Sequence, residues 1–274
     1  MKKIFIILSV VLSAAACSGK LNIPDQPEVP ASKTFELSAN MSSYSGEFLW
    51  SPGKAIGVYG SLQGSNAKYV PYNEYLGKAG VIKLYGPEVD GTLYAYFPYS
   101  AEGYEAVADG LVPYASVQTY RASAAEHFSE NTVLVAQQEN GVFDFAIRSG
   151  LVKFEVDVDF AGEVKSVVLV SGLNYLSGNF AIDPQADQPV TEGGKTLTVC
   201  GMGVQNGKFD VYFALPEGSY ETLQLSVHTD AESVSKPVNG VVPVRAGEVT
   251  PMTVVDEAYE YTGSDFIIIP GIFD

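Results

Sequence analysis

The chain has 274 residues, 16 of them basic and 32 acidic, and a formal charge of −16. A field of that sign excludes nucleic acid and anionic lipid surfaces as favoured partners. Two cysteines, Cys17 and Cys200, exclude a scaffold built on disulfides if Cys17 is otherwise engaged.

Met1-Lys2-Lys3 makes a positive start, Ile4 to Leu12 an apolar run, and Ser13-Ala14-Ala15-Ala16 supplies the small residues a signal peptidase accepts. The run is too short for a bilayer, which takes about 20 apolar residues, so residues 1–16 read as a removable signal peptide. Small residues ending in a cysteine resemble the bacterial lipobox, with Ala14 where that motif usually carries Leu. The resemblance implies that Cys17 is diacylated and becomes the N-terminus; an ordinary secretory cut at the same bond leaves a free thiol. Loss of Lys2 and Lys3 leaves 14 basic against 32 acidic residues, a charge of −18, which reads as solubility. Residues 17–32 hold Pro24, Pro27 and Pro30 and no apolar period, the composition of an extended tether.

From Thr34 the pattern becomes short β runs punctuated by Gly, Pro, Asn and Asp. Predicted strands are Thr34 to Ala39, Glu47 to Trp50, Ala55 to Tyr59, Val81 to Tyr85, Thr92 to Pro98, Thr132 to Ala136 and Val142 to Arg148. A second series comprises Val152 to Phe160, Val164 to Val170, Asn179 to Ile182, Thr196 to Cys200, Phe209 to Leu215, Thr222 to His228 and Val241 to Arg245. Phe154, Val156, Val158 and Phe160 alternate with Glu155, Asp157 and Asp159, which predicts one buried and one wet face. Tyr120 to Ser129 is the one short helix expected. Strands at this spacing without intervening helices exclude an α/β enzyme fold. They predict an all-β chain of two tandem antiparallel β-sandwiches, 33–149 and 150–255, meeting at Arg148-Ser149-Gly150, then a tail strand within 256–274.

No catalytic constellation is present in the sequence. His127 and His228 lack companions at metal-ligand spacing, no Gly-x-Ser-x-Gly elbow occurs, and Asp183-Pro-Gln-Ala-Asp187 reads as a turn. Cys200 reads as a small buried hydrophobe. The chain is therefore expected to be no enzyme, with no cofactor and no metal. Tyr94, Tyr96, Tyr99 and Tyr104, with the single Trp50, keep open a surface glycan-binding lipoprotein. The C-terminal run Asp265-Phe-Ile-Ile-Ile-Pro-Gly-Ile-Phe-Asp274 carries apolar groups on both faces of an extended strand. Such a strand is either buried in its own sandwich or completes another subunit's sheet by main-chain pairing.

Four segments together resemble the fimbrillin family, the pilus subunits and pilus-associated lipoproteins of Bacteroides-type bacteria. They are Phe48-Leu-Trp-Ser-Pro-Gly-Lys-Ala-Ile-Gly-Val-Tyr59, Tyr94-Ala-Tyr-Phe-Pro-Tyr-Ser100, Phe143-Asp-Phe-Ala-Ile-Arg-Ser-Gly-Leu-Val-Lys-Phe154 and Leu176-Ser-Gly-Asn-Phe-Ala-Ile-Asp183. The resemblance implies transthyretin-like sandwiches, lipoprotein export to the cell outer membrane or surface, and a structural or anchoring role in an adhesive fimbrium. The implied partners are other pilin-type subunits, the outer membrane through lipid on Cys17, and host or bacterial surface ligands. It also implies assembly by strand exchange, in which a trypsin-like protease opens a groove that a neighbour's terminal strand fills. By position, Thr34, Phe35, Leu37 and Ala39 belong to the displaced first strand, and Phe266, Ile267, Ile268, Ile269, Ile272 and Phe273 to the donor. The first arginine is Arg121, so an arginine-directed cut upstream of the folded part is impossible, and Lys33 or Lys20 is the candidate processing site.

Overall fold

The computed structural model describes residues 35–41, 48–62, 65–182, 193–255, 257–263 and 266–269. The signal peptide, Cys17, Lys20, Lys33, Thr34, the Asp183 to Asp187 turn, Ile272 and Phe273 lie outside the described residues. Residues 33–274 make one compact unit.

The first part of the chain supplies β1 (Phe35–Asn40), β2 (Ile56–Gly60), β3 (Ala67–Pro71), β4 (Ile82–Gly86) and β5 (Leu93–Phe97). A short helix α1 (Glu105–Ala108), β6 (Leu111–Tyr114), β7 (Val117–Thr119), α2 (Ala124–Asn131), β8 (Leu134–Glu139) and β9 (Val142–Asp144) follow. The second part consists of β10 (Ser149–Ser171), β11 (Gly178–Ala181), β12 (Thr196–Pro216), β13 (Gly218–Tyr220), β14 (Leu223–Thr229), β15 (Ser233–Asn239), β16 (Val242–Val244), β17 (Glu248–Val255), β18 (Ala258–Glu260) and β19 (Ile267–Ile268). The fold is all-β, as the alternation predicts.

Each part closes on itself. In the first, strands run in the order β1-β4-β3-β2-β5-β8-β9 and β9 returns to β1. In the second, one side of β10 pairs with β12 along most of its length, while the other side pairs with β14 and, nearer its start, with β17. The β17 pairing completes a ring of β10, β14, β15, β18 and β17. Both closures are parallel, β1 with β9 and β10 with β17, where purely antiparallel sheets are expected from the sequence.

Several predicted elements need correction. Phe48 to Trp50 is no strand: Trp50 exchanges its backbone groups with Gly77 and Lys78 alone, and a turn closed by Lys54 N–H to the Ser51 carbonyl follows. Val142 to Arg148 stops at Asp144. The runs Val152 to Phe160 and Val164 to Val170 are one strand, β10, because β12 stays paired across the register shift between Val158 and Glu163. The helix starts at Ala124 instead of Tyr120, since Ser123 caps it: its Oγ accepts from Glu126 N–H and donates to the Glu126 carboxylate at 2.9 Å. Strands β6, β7, β13 and β18 are too short, β3 carries Lys68 and Pro71 within its five residues, and β15 and β17 are interrupted by Pro237 and Pro251, so none stands out as an apolar run.

The middle of the first part reaches across to the second. Strand β6 pairs with β11, and β7 adds to the edge of β12. Between these contacts the inward Gln118 donates from its amide nitrogen to the Ala214 carbonyl at 2.7 Å and accepts from Ala214 N–H at 3.0 Å. A third apolar cluster, with Tyr59, Tyr96, Val112, Tyr114, Val135 and Phe180, fills the seam.

Candidate functional site

Two strands implied by the resemblance lie at opposite ends of the described chain. Strand β1 bonds on both sides, antiparallel to β4 (Leu37 opposite Leu84) and parallel to β9 (Ser38 opposite Val142). Leu37 and Ala39 point inward and are buried, as is Met41 just beyond, while Phe35 and Glu36 are exposed. At its end the Asn40 amide donates to Asp144 at 3.0 Å and the Asn40 carbonyl accepts from Phe145 N–H at 2.9 Å. An exposed Glu36–Lys83 ion pair, which water and salt screen, adds to the β4 side. The strand is thus a six-residue stave in the barrel wall, filling an inward slot with alternate side chains.

Strand β19 lies on the side of β17 away from β10, with Ile268 opposite Glu248 and Ile267 opposite Val249. Ile269 N–H donates to the Gly247 carbonyl at 3.1 Å. The Ile269 side chain is only 1% exposed and belongs to the same apolar cluster as Leu37, Leu151, Tyr212 and Val249, whereas Ile267 and Ile268 are 55% and 56% exposed. The Arg245 guanidinium sits 3.8 Å above the Phe266 ring, which also meets the Tyr261 ring at 5.6 Å. The terminal strand is therefore docked on its own chain by two residue pairs and one buried isoleucine. Neither a fully buried final strand nor a free one describes it.

Of the aromatic residues that keep a glycan platform open, Trp50 and Tyr96 are core, while Tyr94, Tyr99 and Tyr104 are half-buried against the third apolar cluster. Trp50 is 1% exposed, with its ring edge-on to Phe48 and Phe97 at 5.1 and 6.0 Å. The Tyr96 hydroxyl lies 2.9 Å from Asn66 Oδ1 and 2.8 Å from the Ser100 carbonyl, and burial pushes the phenol up to about 12. Its ring lies over Gly57, its cross-strand partner, where a Cβ would come within 2.1 Å of the ring. That contact gives a physical reason for the Ile-Gly-Val-Tyr and Tyr-Ala-Tyr-Phe segments to occur together: one supplies the bare backbone that the other covers. An open groove of about 320 Å³, lined in part by Tyr104, Tyr114, Val117, Glu130 and Asn131, lies beside β7 and α2.

The histidines have structural roles. His127 is buried, with Nε2 3.1 Å from the Gln118 oxygen and its ring 6.0 Å from Tyr212. Burial, and secondarily the charge of Arg121, pull its pKa down to about 4, so it is neutral and Nε2 carries the donated proton. His228 is 2.7 Å from the Ser233 hydroxyl on the outer sheet face. Cys200 departs from expectation: Val199 faces the core, so alternation turns the free Cys200 thiol outward, and it is half-buried. Among the described residues no three His, Cys, Asp or Glu side chains are grouped to hold a metal ion.

No protein-family model and no curated protein matches the chain. Among solved structures, a Bacteroides ovatus protein provisionally assigned to cell adhesion is 16% identical, with a TM-score of 0.44 over 86% of this chain and 95% of that one. The tip fimbrial protein Mfa3 of Porphyromonas gingivalis, C-terminally truncated, is 9% identical, with a TM-score of 0.33 over 81% and 95%. A fimbrial protein of Bacteroides ovatus is 12% identical, with a TM-score of 0.31 over 82% of this chain and 49% of the other. With every TM-score at 0.44 or lower, these likenesses assign neither a partner nor a role.

Proposed function

We propose that the protein is a structural or anchoring subunit of an adhesive pilus, held at the outer membrane by lipid on Cys17 and joined to its neighbours by strand exchange. The observation that carries this reading is the placement of β1. It is a short strand ahead of the other described strands, yet it bonds on both sides and closes the first barrel. Its departure would expose the edges of β4 and β9 together with the slot that Leu37 and Ala39 fill. An extended apolar strand from another copy meets both needs, through main-chain bonds and alternate side chains.

The donor in this proposal is Phe266, Ile267, Ile268 and Ile269, continued by Ile272 and Phe273. Its own dock on β17 is two residue pairs long, so exchange replaces few bonds with more. A cut after Lys33, or after Lys20, would sever the tether and leave β1 as a free end able to be displaced. Without such a cut the subunit stays on its lipid as an anchor.

Deleting residues 265–274 is expected to abolish polymers while the monomer keeps its far-ultraviolet circular dichroism. Polymers that persist after the deletion would overturn the strand-exchange mechanism. The intact mass of the native protein separates the two roles, since a diacylated Cys17 terminus marks an anchor and a Thr34 terminus marks a processed subunit.

A further inference from the structure

The two longest strands change character along their length. Near the start of β10 the outward residues are Lys153, Glu155 and Asp157, facing Lys208 and Asp210 of β12, with Lys153 2.8 Å from Asp210 and Lys208 paired to Glu155. Beyond the register shift, the same side of the same two strands carries Ser166, Val168 and Val170 against Thr196, Thr198 and Cys200. This neutral stretch extends sideways through the register. Val168 lies opposite Ser226 and Thr198; Thr198 lies opposite Val117, and Ser226 opposite Ser235. The neighbouring row runs from Ser233 through His228, Ser166 and Cys200 to Thr119.

Five strands, from β15 to β7, therefore present an outer face of Ser, Thr, Val and Cys with His228 in one row and no Lys, Arg, Asp or Glu in either row, on a chain of formal charge −16. The core side of the same strands is packed with buried Val167, Leu169, Leu197, Val199, Leu225 and Val227, so this is the outside of a finished layer. Val117, on the β7 edge, is 60% exposed. Charges stand at the rim, with the Glu163–Lys165 pair at one end, Lys195 at the other and Glu130 beside β7.

We infer that this face is a docking surface for a second copy of the chain, packed sheet against sheet. The charge distribution selects the partner. Two acidic copies repel wherever their charged surfaces meet, and here they can approach without desolvating an ion or opposing like charges. The shape agrees, because an array made mostly of Ser, Thr and Val, with Cys200 and His228 in one row, lacks large side chains to anchor a partner, whereas small residues allow two sheets to settle about 10 Å apart. A third row, from Pro237 through Gln224 and Val170 to Thr196, is also without charge and stops short of β7, so strands at about 4.8 Å and rows at about 6.8 Å give a footprint of at most roughly 20 by 14 Å. That is well below the roughly 800 Å² per partner of a stable dimer. The contact is a weak one, suited to summation where many copies lie side by side.

The test is sedimentation velocity of the chain carrying Cys17→Ser, so that no acyl group drives association, up to about millimolar concentration. The sedimentation coefficient is expected to rise with concentration, and to rise more in high salt, which screens repulsion between the acidic remainders. Thr198→Lys and Thr198→Glu should each weaken association tenfold or more, while Thr198→Ser leaves it unchanged. In the Thr198-wild-type chain, alkylation of Cys200 by a small maleimide should slow as association proceeds, a readout that needs no substitution in the face. A monomer at every concentration, association that both charged variants leave intact, opposite effects of Lys and Glu, or an unchanged Cys200 rate would each overturn the inference. Retention on a neutral polysaccharide without self-association would give the face another occupant and overturn it too. Deleting residues 265–274 leaves the face untouched, so Thr198-sensitive association surviving that deletion separates this contact from strand exchange.

Discussion

The two parts of the molecule are closed by the same device at different scales. Each ring ends in a parallel pairing of its first strand with a late one, β1 with β9 and β10 with β17. Strand β1 has six residues and sends Leu37 and Ala39 into the core. Strand β10 has 23 and sends in, among others, Val152, Phe154, Val156, Val164, Val167 and Leu169. Parallel closure by a long central strand fixes a ring; by a short leading strand it leaves a stave that can be drawn out without unthreading anything else. Local stability is set by how much apolar surface and how many ladder bonds open together, and β1 commits little of either.

The largest expected effect breaks the second closure. Phe154 meets Phe213 and Tyr259 edge-on at 5.8 and 5.0 Å, so Phe154→Ala should cost about 4 kcal/mol, read from the urea midpoint. Leu37→Ala should cost about 3 kcal/mol, and hydrogen exchange sharpens the contrast: the Leu37 and Ala39 amides are expected to exchange through local opening, those of Phe154 and Leu169 only through global unfolding. Equal protection in the two strands would remove the distinction between them.

The seam between the parts is sensitive to acid. His127 is held neutral with its pKa near 4, against about 6.5 in the unfolded chain, so the unfolded state takes up the proton first. Stability from this group is whole above about pH 6.5 and is lost as pH falls towards 4, by about 3 kcal/mol in all. His127→Gln should flatten that part of the pH–stability curve relative to wild type, and parallel curves would refute the assignment. The smallest effect concerns the tail: Arg245→Ala removes the cation over Phe266, worth about 0.5–1 kcal/mol at such a site. It should speed exchange of the Ile269 amide while leaving that of Phe154 unchanged.

The first strand was legible locally, though not the strands it closes against. The alternation of Phe35, Leu37 and Ala39 places β1 within one residue of its observed start, and the run Phe266 to Ile269 marks the tail as apolar on both faces. Its dock was not legible, since nothing near Ile269 in sequence indicates burial beside Leu151 and Tyr212. Trp50 is a similar case: its alternation with Phe48 resembles a strand, but among the described residues it lies in no strand, and its backbone bonds go to Gly77 and Lys78 in a loop.

By itself the sequence determined the class of the fold, because period-two alternation is a property of a single strand and needs no partner to be read. It also determined the chain's acidity and set the composition of both ends apart from the strands between them. Only the tertiary structure decided which strands pair, that both rings close in parallel, that two predicted runs are one β10, and that a neutral face spans β15 to β7. Pairing joins residues far apart in the chain, such as Ser38 with Val142 and Val152 with Thr250. The preference of any one strand for a neighbour is weak until the core they share is assembled.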